Sequence, residues 1–144
     1  MVTLASINDG PDIELDPFDT IVIGASIRYG KHRPQVYEFI RKNQLVLDSK
    51  PNAFFSVNIV ARKPEKNEPE TNPYLKKFLR QVSWKPLKLA VFAGKLDYPI
   101  YTFWDRQVIR FIMWMTKGPT DPRAVVDFTD WKKVDDFGRA IAAM

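Results

Sequence analysis

The sequence predicts an α/β domain built on a doubly wound parallel sheet with helices on both faces. Three apolar runs, at 20–26, 53–60 and 87–94, recur at intervals of about 33 to 36 residues, a spacing typical of repeated βαβ units. Segments with helical periodicity stand between them. The chain has 144 residues, 45% of them hydrophobic, which suffices for one core. Residues 1–144 are therefore expected to form a single domain.

The first apolar run and its following loop, 20–30, contain the densest group of small residues. Ile21 to Ile23 are apolar and β-branched, as in a strand buried on both faces. Gly24 and the small residues after it predict that the strand ends at Ser26. The loop 27–33 would then lie at the carboxyl edge of the sheet, where α/β proteins bind ligands. An ordinary buried strand that ends in a turn explains the same residues.

Local signals predict the elements of the first half of the chain. Residues 2–7 alternate weakly, which suits a short strand, and 8–19 is an acidic, turn-rich connection. Pro34 suits the first turn of a helix that continues to about residue 48. The polar stretch 62–71 has no apolar period and is expected to be exposed.

Two further helices and a strand are predicted in the second half. Asn72 is expected to cap a helix with Pro73 in its first turn. Residues 124–129 suit a short strand. Asp130 is expected to cap the last helix.

The segment 98–118 is the most aromatic part of the chain. If it is helical, its apolar residues cover more than one buried stripe and its polar residues occupy a narrow sector. Trp104 and Trp114, together with the cations Arg106 and Arg110, favour an inserted amphipathic helix that lies at a membrane surface or against a partner. A helix enclosed between the sheet and the chain ends is the alternative.

The charge is unevenly distributed. The net charge is +5, but the first twenty residues carry five acids and no base, so they lack a signal-peptide pattern, which favours a cytoplasmic protein. Residues 28–50 and 62–88 are basic. Such a midsection suits nucleic acid, an anionic membrane or an anionic substrate, and a merely solvated surface explains it equally simply.

Several kinds of chemistry are excluded by composition. The chain has no cysteine, which excludes disulfides, thiolate catalysis and cysteine-ligated metal centres. Its one histidine, His32, is expected at the surface. Ser26 is not a hydrolase nucleophile, because Arg28 stands where the second glycine of the nucleophile elbow belongs. No nucleic-acid-binding module accompanies the basic residues.

Three predicted strand ends, 26–30, 58–62 and 94–98, share one edge of the sheet. Their small, polar and aromatic residues suit a flat heteroaromatic cofactor held by backbone amides and covered by side chains. Basic side chains flank this edge and could attract carboxylates or phosphates. They are Arg28, Lys31, Arg33, Arg62 and Lys63.

Two long stretches closely resemble the bacterial flavodoxin-like, menaquinone-dependent protoporphyrinogen IX dehydrogenases: VIGASIRYG at 22–30 and FSVNIVARKPEK at 55–66. The motif 129–131 and an aromatic, basic insertion also match, so the resemblance covers nearly the whole chain. It implies an FMN enzyme of haem biosynthesis that takes six electrons from protoporphyrinogen IX and passes them to menaquinone or ubiquinone. It also implies a peripheral protein on the cytoplasmic face of the inner membrane, held there by 98–118, and it is compatible with a homo-oligomer.

The resemblance implies roles for individual residues but assigns no catalytic residue and no metal. Flavin binding would fall to Ser26, Ile27, Arg28, Tyr29, Gly30, Asn58, Val60, Ala61, Arg62, Gly94, Leu96 and Tyr98. Contacts to the substrate or the membrane would fall to Lys31, Lys63, Trp104, Arg106, Arg110 and Trp114.

One departure from the family pattern lies at the start of the chain. The family begins with a strand, a phosphate-binding loop and a helix, whereas this sequence starts where the family's second strand would lie. We therefore expect an N-terminally incomplete flavodoxin-like sheet, weak FMN binding, and residues 2–7 either without a neighbour or in the vacant position. Two alternatives stay open: a flavodoxin-type electron carrier, and a non-catalytic remnant that binds porphyrin or a membrane.

Overall fold

The computed structural model describes residues 2–8, 13–28, 30–97, 107, 110–111, 113 and 125–144. Its main sheet has four strands in the order β2-β1-β3-β4. These are β1 (Ile21–Arg28), β2 (Lys31–His32), β3 (Asn52–Val57) and β4 (Lys88–Phe92). β1, β3 and β4 are parallel, and β2 runs antiparallel to β1. The predicted parallel α/β sheet is confirmed.

A second, two-stranded sheet and three helices complete the described fold. β5 (Lys95–Asp97) pairs antiparallel with β6 (Val125–Asp127). The helices are α1 (Pro34–Ser49), α2 (Pro73–Gln81) and α3 (Trp131–Ala142). Two 3₁₀ turns, Ile59–Arg62 and Pro64–Lys66, follow β3. The helices predicted from residue 34, after Asn72 and after Asp130, and the strand predicted at 124–129, are therefore present with bounds that differ by a few residues.

Both predicted helix caps form as expected. The side-chain oxygen of Asn72 accepts hydrogen bonds from the backbone N–H groups of Tyr74 and Leu75 at the start of α2. Asp130 does the same for Lys132 and Lys133 at the start of α3. Each cap satisfies N–H groups that have no acceptor within the helix.

The main core lies on the face of the sheet that α1 and α2 cover. Alternate residues of β1 point into it because side chains alternate along a strand, so Ile21 and Ile23 are buried. The ring of Phe54 in β3 stacks on Phe78 of α2 with centroids 4.1 Å apart, and Trp84 meets Phe54 edge-on. Aromatic packing thus fixes α2 against the centre of the sheet.

The opposite face carries α3. Phe137 of α3 meets Phe55 and Phe92 with ring centroids 6.2 and 5.9 Å apart. A Cβ atom at Gly24 would overlap the ring of Phe55, so that ring lies directly over the glycine. The predicted doubly wound arrangement, with helices on both faces, is therefore observed.

Three sequence-based predictions about strands are wrong. β1 does not end at Ser26 but continues to Arg28, and residues 31–32 pair with it instead of belonging to a loop. The second strand ends at Val57 rather than at residue 60. Residues 2–7 have no strand conformation and do not enter the main sheet. Gly24 lies inside β1, where the absence of a side chain leaves space for the ring of Phe55.

Residues 13–18 nevertheless reach the core. Leu15 is buried in it. The ammonium group of Lys50, just after α1, donates to the carbonyl oxygens of Leu15, Asp16 and Phe18 at 3.0, 2.6 and 2.6 Å. One cation therefore ties this segment to the end of α1.

Most of the predicted insertion 98–118 lies outside the described residues. Gln107, Arg110, Phe111 and Met113 have helical backbone conformation. Met113 is fully buried, whereas Phe111 is 59% exposed. No described helix is long and apolar enough to cross a membrane.

Candidate functional site

The carboxyl ends of three parallel strands meet at one edge of the sheet. Ser26 of β1, Val57 of β3 and Phe92 of β4 lie in one row across the ladder. The backbone N–H of Asn58 donates to the carbonyl of Phe92 at 2.9 Å, so the segment after β3 stays against the end of β4. The convergence predicted from the sequence is therefore observed, and the loops after these strands form the candidate site.

The first loop is the tight hairpin between β1 and β2. Ile27 pairs with His32 and Arg28 pairs with Lys31. Gly30 has a φ angle of 77°, and among the described residues nothing lies within 4 Å of the position that a Cβ atom would occupy there. Arg28 and Lys31 are exposed, as is Ser26, whereas Ile27 is half-buried. The hairpin therefore presents two cations and an open space, and Tyr29 between them lies outside the described residues.

The second loop is the 3₁₀ turn Ile59–Arg62. Ala61 is buried and Val60 is half-buried. The guanidinium of Arg62 donates back to the carbonyl of Ile59 at 3.1 Å and lies 6.0 Å from the ring centroid of Phe128. Arg62 thus stabilises its own turn and lies over Phe128, the residue after β6. Lys63, next to it, is half-buried.

The third strand end is set by Gly94. Its φ angle is 73°, and a Cβ atom there would lie 2.6 Å from Cγ1 of Val57, so only glycine fits. Its carbonyl accepts a hydrogen bond from the backbone N–H of Phe128 at 3.0 Å. The backbone of Leu96 pairs with Val126. Tyr98 lies outside the described residues.

Behind these loops lies a buried polar network that sequence reasoning missed. Nε2 of His32 is 2.8 Å from Oγ of Ser56, and Nδ2 of Asn58 donates to that hydroxyl at 3.1 Å. Asn58 and Asn72 exchange two side-chain hydrogen bonds, at 3.2 and 2.9 Å. Nδ2 of Asn72 also donates to the carbonyl of Lys66 at 2.9 Å. The network joins the hairpin, the end of β3 and the cap of α2.

This network changes the interpretation of two residues. His32 is 2% exposed, so the surface position expected from the sequence is wrong. Burial lowers the pKa of His32 from 6.5 to about 4, because a low-dielectric environment disfavours the charged imidazolium. The side chain of Asn58 is 3% exposed and hydrogen-bonded within the network, so it holds the loop in place from behind.

A cavity of about 130 Å³ opens between the second loop and the start of α3. It is lined by Ala61, Arg62, Asn67, Val91, Phe92, Ala93, Phe128, Asp130 and Lys133. Lys133 spans one side of it, because its ammonium group donates to the carbonyl of Asn67 and forms a 3.0 Å ion pair with Glu68. Of the sequence-predicted site residues that the structure describes, Ala61 and Arg62 alone line this cavity.

The residues predicted to contact substrate or membrane are only partly described. Lys31 lies on the first hairpin and Lys63 follows the 3₁₀ turn, while Arg110 is half-buried in the segment 98–118. The predicted contacts Trp104, Arg106 and Trp114 lie outside the described residues. Within the part of the chain that is described, no cluster of histidine and carboxylate side chains could hold a metal ion.

Comparisons with known proteins agree with this architecture. A family model for the flavodoxin domain matches residues 1–123, and proteins with this domain bind a flavin. No solved structure matches the chain significantly.

Curated proteins with similar sequences share one name, protoporphyrinogen IX dehydrogenase (quinone). The Escherichia coli K12 protein is 47% identical over 139 residues, which are 96% of this chain and 77% of that protein. The protein of E. coli O157:H7 has the same identity and coverage. The Leishmania major protein is 43% identical over 141 residues, which are 98% of this chain and 61% of that protein.

Proposed function

The chain belongs to the flavodoxin-domain family of quinone-dependent protoporphyrinogen IX dehydrogenases, and on this premise we propose that it uses FMN to oxidise protoporphyrinogen IX to protoporphyrin IX. The observation that carries the proposal is the 47% identity with the E. coli protein over 96% of the chain. The reaction removes six electrons and six protons from the tetrapyrrole. Three quinone molecules accept them as three quinols, so electrons and protons balance.

The described residues fit a flavin at the carboxyl edge of the sheet. Gly30 leaves open space beside the first hairpin, and the positive φ of Gly94 lets the third strand end pass close to Val57. The N–H groups of Ile59 and Val60 begin a 3₁₀ turn and have no acceptor within it, which suits the polar edge of a flat heteroaromatic ring. When bound, FMN supplies the two-electron redox chemistry.

The chain's own part in this reaction is to hold and orient the reactants. Arg28 and Lys31 are exposed on the hairpin, where they would attract the propionate carboxylates of the tetrapyrrole or the phosphate of FMN. The network of His32, Ser56 and Asn58 keeps the first and second loops in a fixed relation. Fixed loops reduce the entropy lost when two reactants are brought together.

The quinone requires access to a membrane. The aromatic and basic segment 98–118, with the basic stretches before it, is suited to attachment at an anionic lipid surface. We therefore place the working enzyme on the cytoplasmic face of the inner membrane as a peripheral protein, where a lipid-dissolved quinone can reach the bound flavin.

The proposal is tested with the purified chain after incubation with FMN. Flavin absorbance of the gel-filtered protein is measured first, so that a failure to bind FMN is distinguished from a failure to react. Anaerobic mixing with protoporphyrinogen IX and menadione should then give porphyrin fluorescence at a rate that depends on both flavin and quinone. Flavin-loaded protein that forms no porphyrin would refute the proposed function and favour a flavodoxin-type electron carrier.

A matched pair of variants localises the site. Arg28→Gln should lower kcat/KM for protoporphyrinogen about tenfold, because one charge-assisted contact is lost. Lys76→Gln removes a charge from the exposed side of α2 and should leave kcat/KM within about twofold. Equal effects of the two substitutions would show that only the overall charge matters.

A further inference from the structure

A groove of about 250 Å³ lies on the helical side of the fold, between the first half of α1 and the end of α2. Its lining residues are Lys31, His32, Pro34, Tyr37, Glu38, Arg41, Lys77 and Gln81. Tyr37 joins the two walls, since its hydroxyl donates to Oε1 of Gln81 at 2.8 Å and its ring packs on Phe78 with centroids 5.5 Å apart. The contacts of Tyr37 with α2 therefore hold the two walls of the groove together.

The rim of the groove is cationic. Lys31, Arg41 and Lys77 are exposed, and within the described chain none of them forms an ion pair. Among the described lining residues Glu38 is the one carboxylate, so they carry an excess of positive charge. The three cations repel one another, and a bound anion would reduce this repulsion further than Glu38 alone does.

The floor of the groove offers a neutral hydrogen-bond donor. Ser56 is fully buried, and its hydroxyl oxygen already accepts from Asn58. Because that oxygen accepts from Asn58, the Ser56 hydroxyl finds its own acceptor when it donates to Nε2 of His32, and this arrangement places the imidazole proton on Nδ1. The Nδ1 atom has no hydrogen-bond partner among the described residues. It is also not completely buried. His32 lines the groove, so Nδ1–H can donate to a ligand there.

We propose that this groove binds the oxyanion of a small amphipathic ligand, a carboxylate or a phosphate attached to an apolar group. Nδ1–H of His32 donates to the oxyanion, and Arg41 and Lys77 neutralise it from the two walls. Pro34 and the ring of Tyr37 contact the apolar part. The volume is slightly below the usual range for a whole drug-sized ligand, which suits one acidic arm or a small acid. The inference does not depend on the proposed oxidation.

The single histidine of the chain provides a direct test. In protein labelled with ¹⁵N-histidine, the Nδ1 and Nε2 signals need no assignment to a residue. Inorganic phosphate, butyrate and short-chain phosphatidylglycerol are titrated separately at constant pH and ionic strength. We expect saturable shifts of the Nδ1 signal with at least one oxyanion. A stronger response to butyrate assigns the site to carboxylates, and a stronger response to the lipid than to phosphate assigns it to a headgroup.

Two charge-matched double variants distinguish binding in the groove from a general attraction of anions to a positively charged surface. Arg41→Gln with Lys77→Gln removes two groove cations, whereas Lys76→Gln with Arg80→Gln removes one arginine and one lysine from the exposed part of α2 outside the groove. The groove variant should weaken binding about tenfold or more, and the control should change it less than about threefold. Absence of a saturable shift with all three probes, or an equal loss in both variants, would overturn the proposal.

Discussion

Nε2 of His32 lies 2.8 Å from the hydroxyl oxygen of Ser56, although β1 stands between the strands that carry them. The residue of β1 in register with Ser56 is Ala25, whose small side chain is buried on the same face. The imidazole also meets the rings of Phe54 and Phe78 edge-on, at 5.9 and 5.2 Å. A polar pair is therefore enclosed in an aromatic core, and breaking this pair should lower the free energy of unfolding.

Replacing Ser56 with alanine should destabilise the protein by about 2 to 3 kcal/mol. The substitution leaves the His32 nitrogen without its partner and removes one acceptor from the buried Asn58 amide, and an unsatisfied buried polar group costs about 1 to 3 kcal/mol. Urea unfolding followed by tryptophan fluorescence measures the change. Ser49→Ala is the control, because its hydroxyl donates to Val46 at an exposed site and should matter by less than about 0.5 kcal/mol.

The stability of the protein should fall as the pH decreases from 6.5 toward 4. The pKa of His32 is lowered from 6.5 to about 4 by burial, so the unfolded chain takes up a proton over this range while the native state does not. Each pH unit then favours unfolding by about 1.4 kcal/mol, up to about 3 kcal/mol in total. The contribution is fully present above pH 6.5 and is lost as the pH falls through about 4.

The His32→Asn variant should lack this part of the pH dependence, although its stability at neutral pH is lower. Urea midpoints of both proteins at several pH values give the comparison, and the ¹⁵N signals of the wild-type histidine report its pKa directly. A histidine that titrates near its ordinary pKa of 6.5 in the folded protein would contradict the burial argument.

The elements that the sequence predicts correctly are those with local signals. Asn72 followed by Pro73, and Asp130 before the last helix, encode caps within a few residues of chain. The three parallel strands are apolar runs of sufficient length, and helical segments separate them along the chain. The positions of α1, α2 and α3 could therefore be predicted without any knowledge of their packing.

The features that the sequence does not predict depend on distant contacts. β2 is two residues long and exists because it pairs with the end of β1. His32 stands between charged residues and looks exposed in the sequence, yet this pairing directs it onto Ser56 in another element. The groove between α1 and α2 likewise needs residues from β2, α1 and α2, and no periodic pattern connects them.

The two helix caps should contribute very differently to the free energy of unfolding. Asn72→Ala removes the cap of α2 and also two hydrogen bonds of the buried Asn58 side chain, so we expect a loss of about 3 kcal/mol in the free energy of unfolding. Asp130→Ala removes an exposed cap from α3 and should cost about 1 kcal/mol. Similar costs for the two variants in urea unfolding would show that the buried network adds little.

Gly24→Ala should be among the most damaging small substitutions in the sheet. Its new methyl group would overlap the ring of Phe55, which is held by Phe92 and Phe137, so either the ring or the strand must move. We expect a loss of about 2 kcal/mol or more, as for other overpacked cores. The second substitution Phe55→Leu should recover part of this loss in the double variant, because it removes the obstructing ring.

Gly138→Ala provides the opposite control within the same protein. No atom of the described part of the chain lies within 4 Å of a Cβ atom at Gly138, and the residue is inside α3, where alanine is favoured over glycine by up to about 1 kcal/mol. Thermal unfolding should therefore give a higher Tm for Gly138→Ala and a lower Tm for Gly24→Ala. An unchanged Tm for Gly24→Ala would mean that β1 accommodates the methyl group. The close approach of Phe55 would then not explain the glycine at position 24.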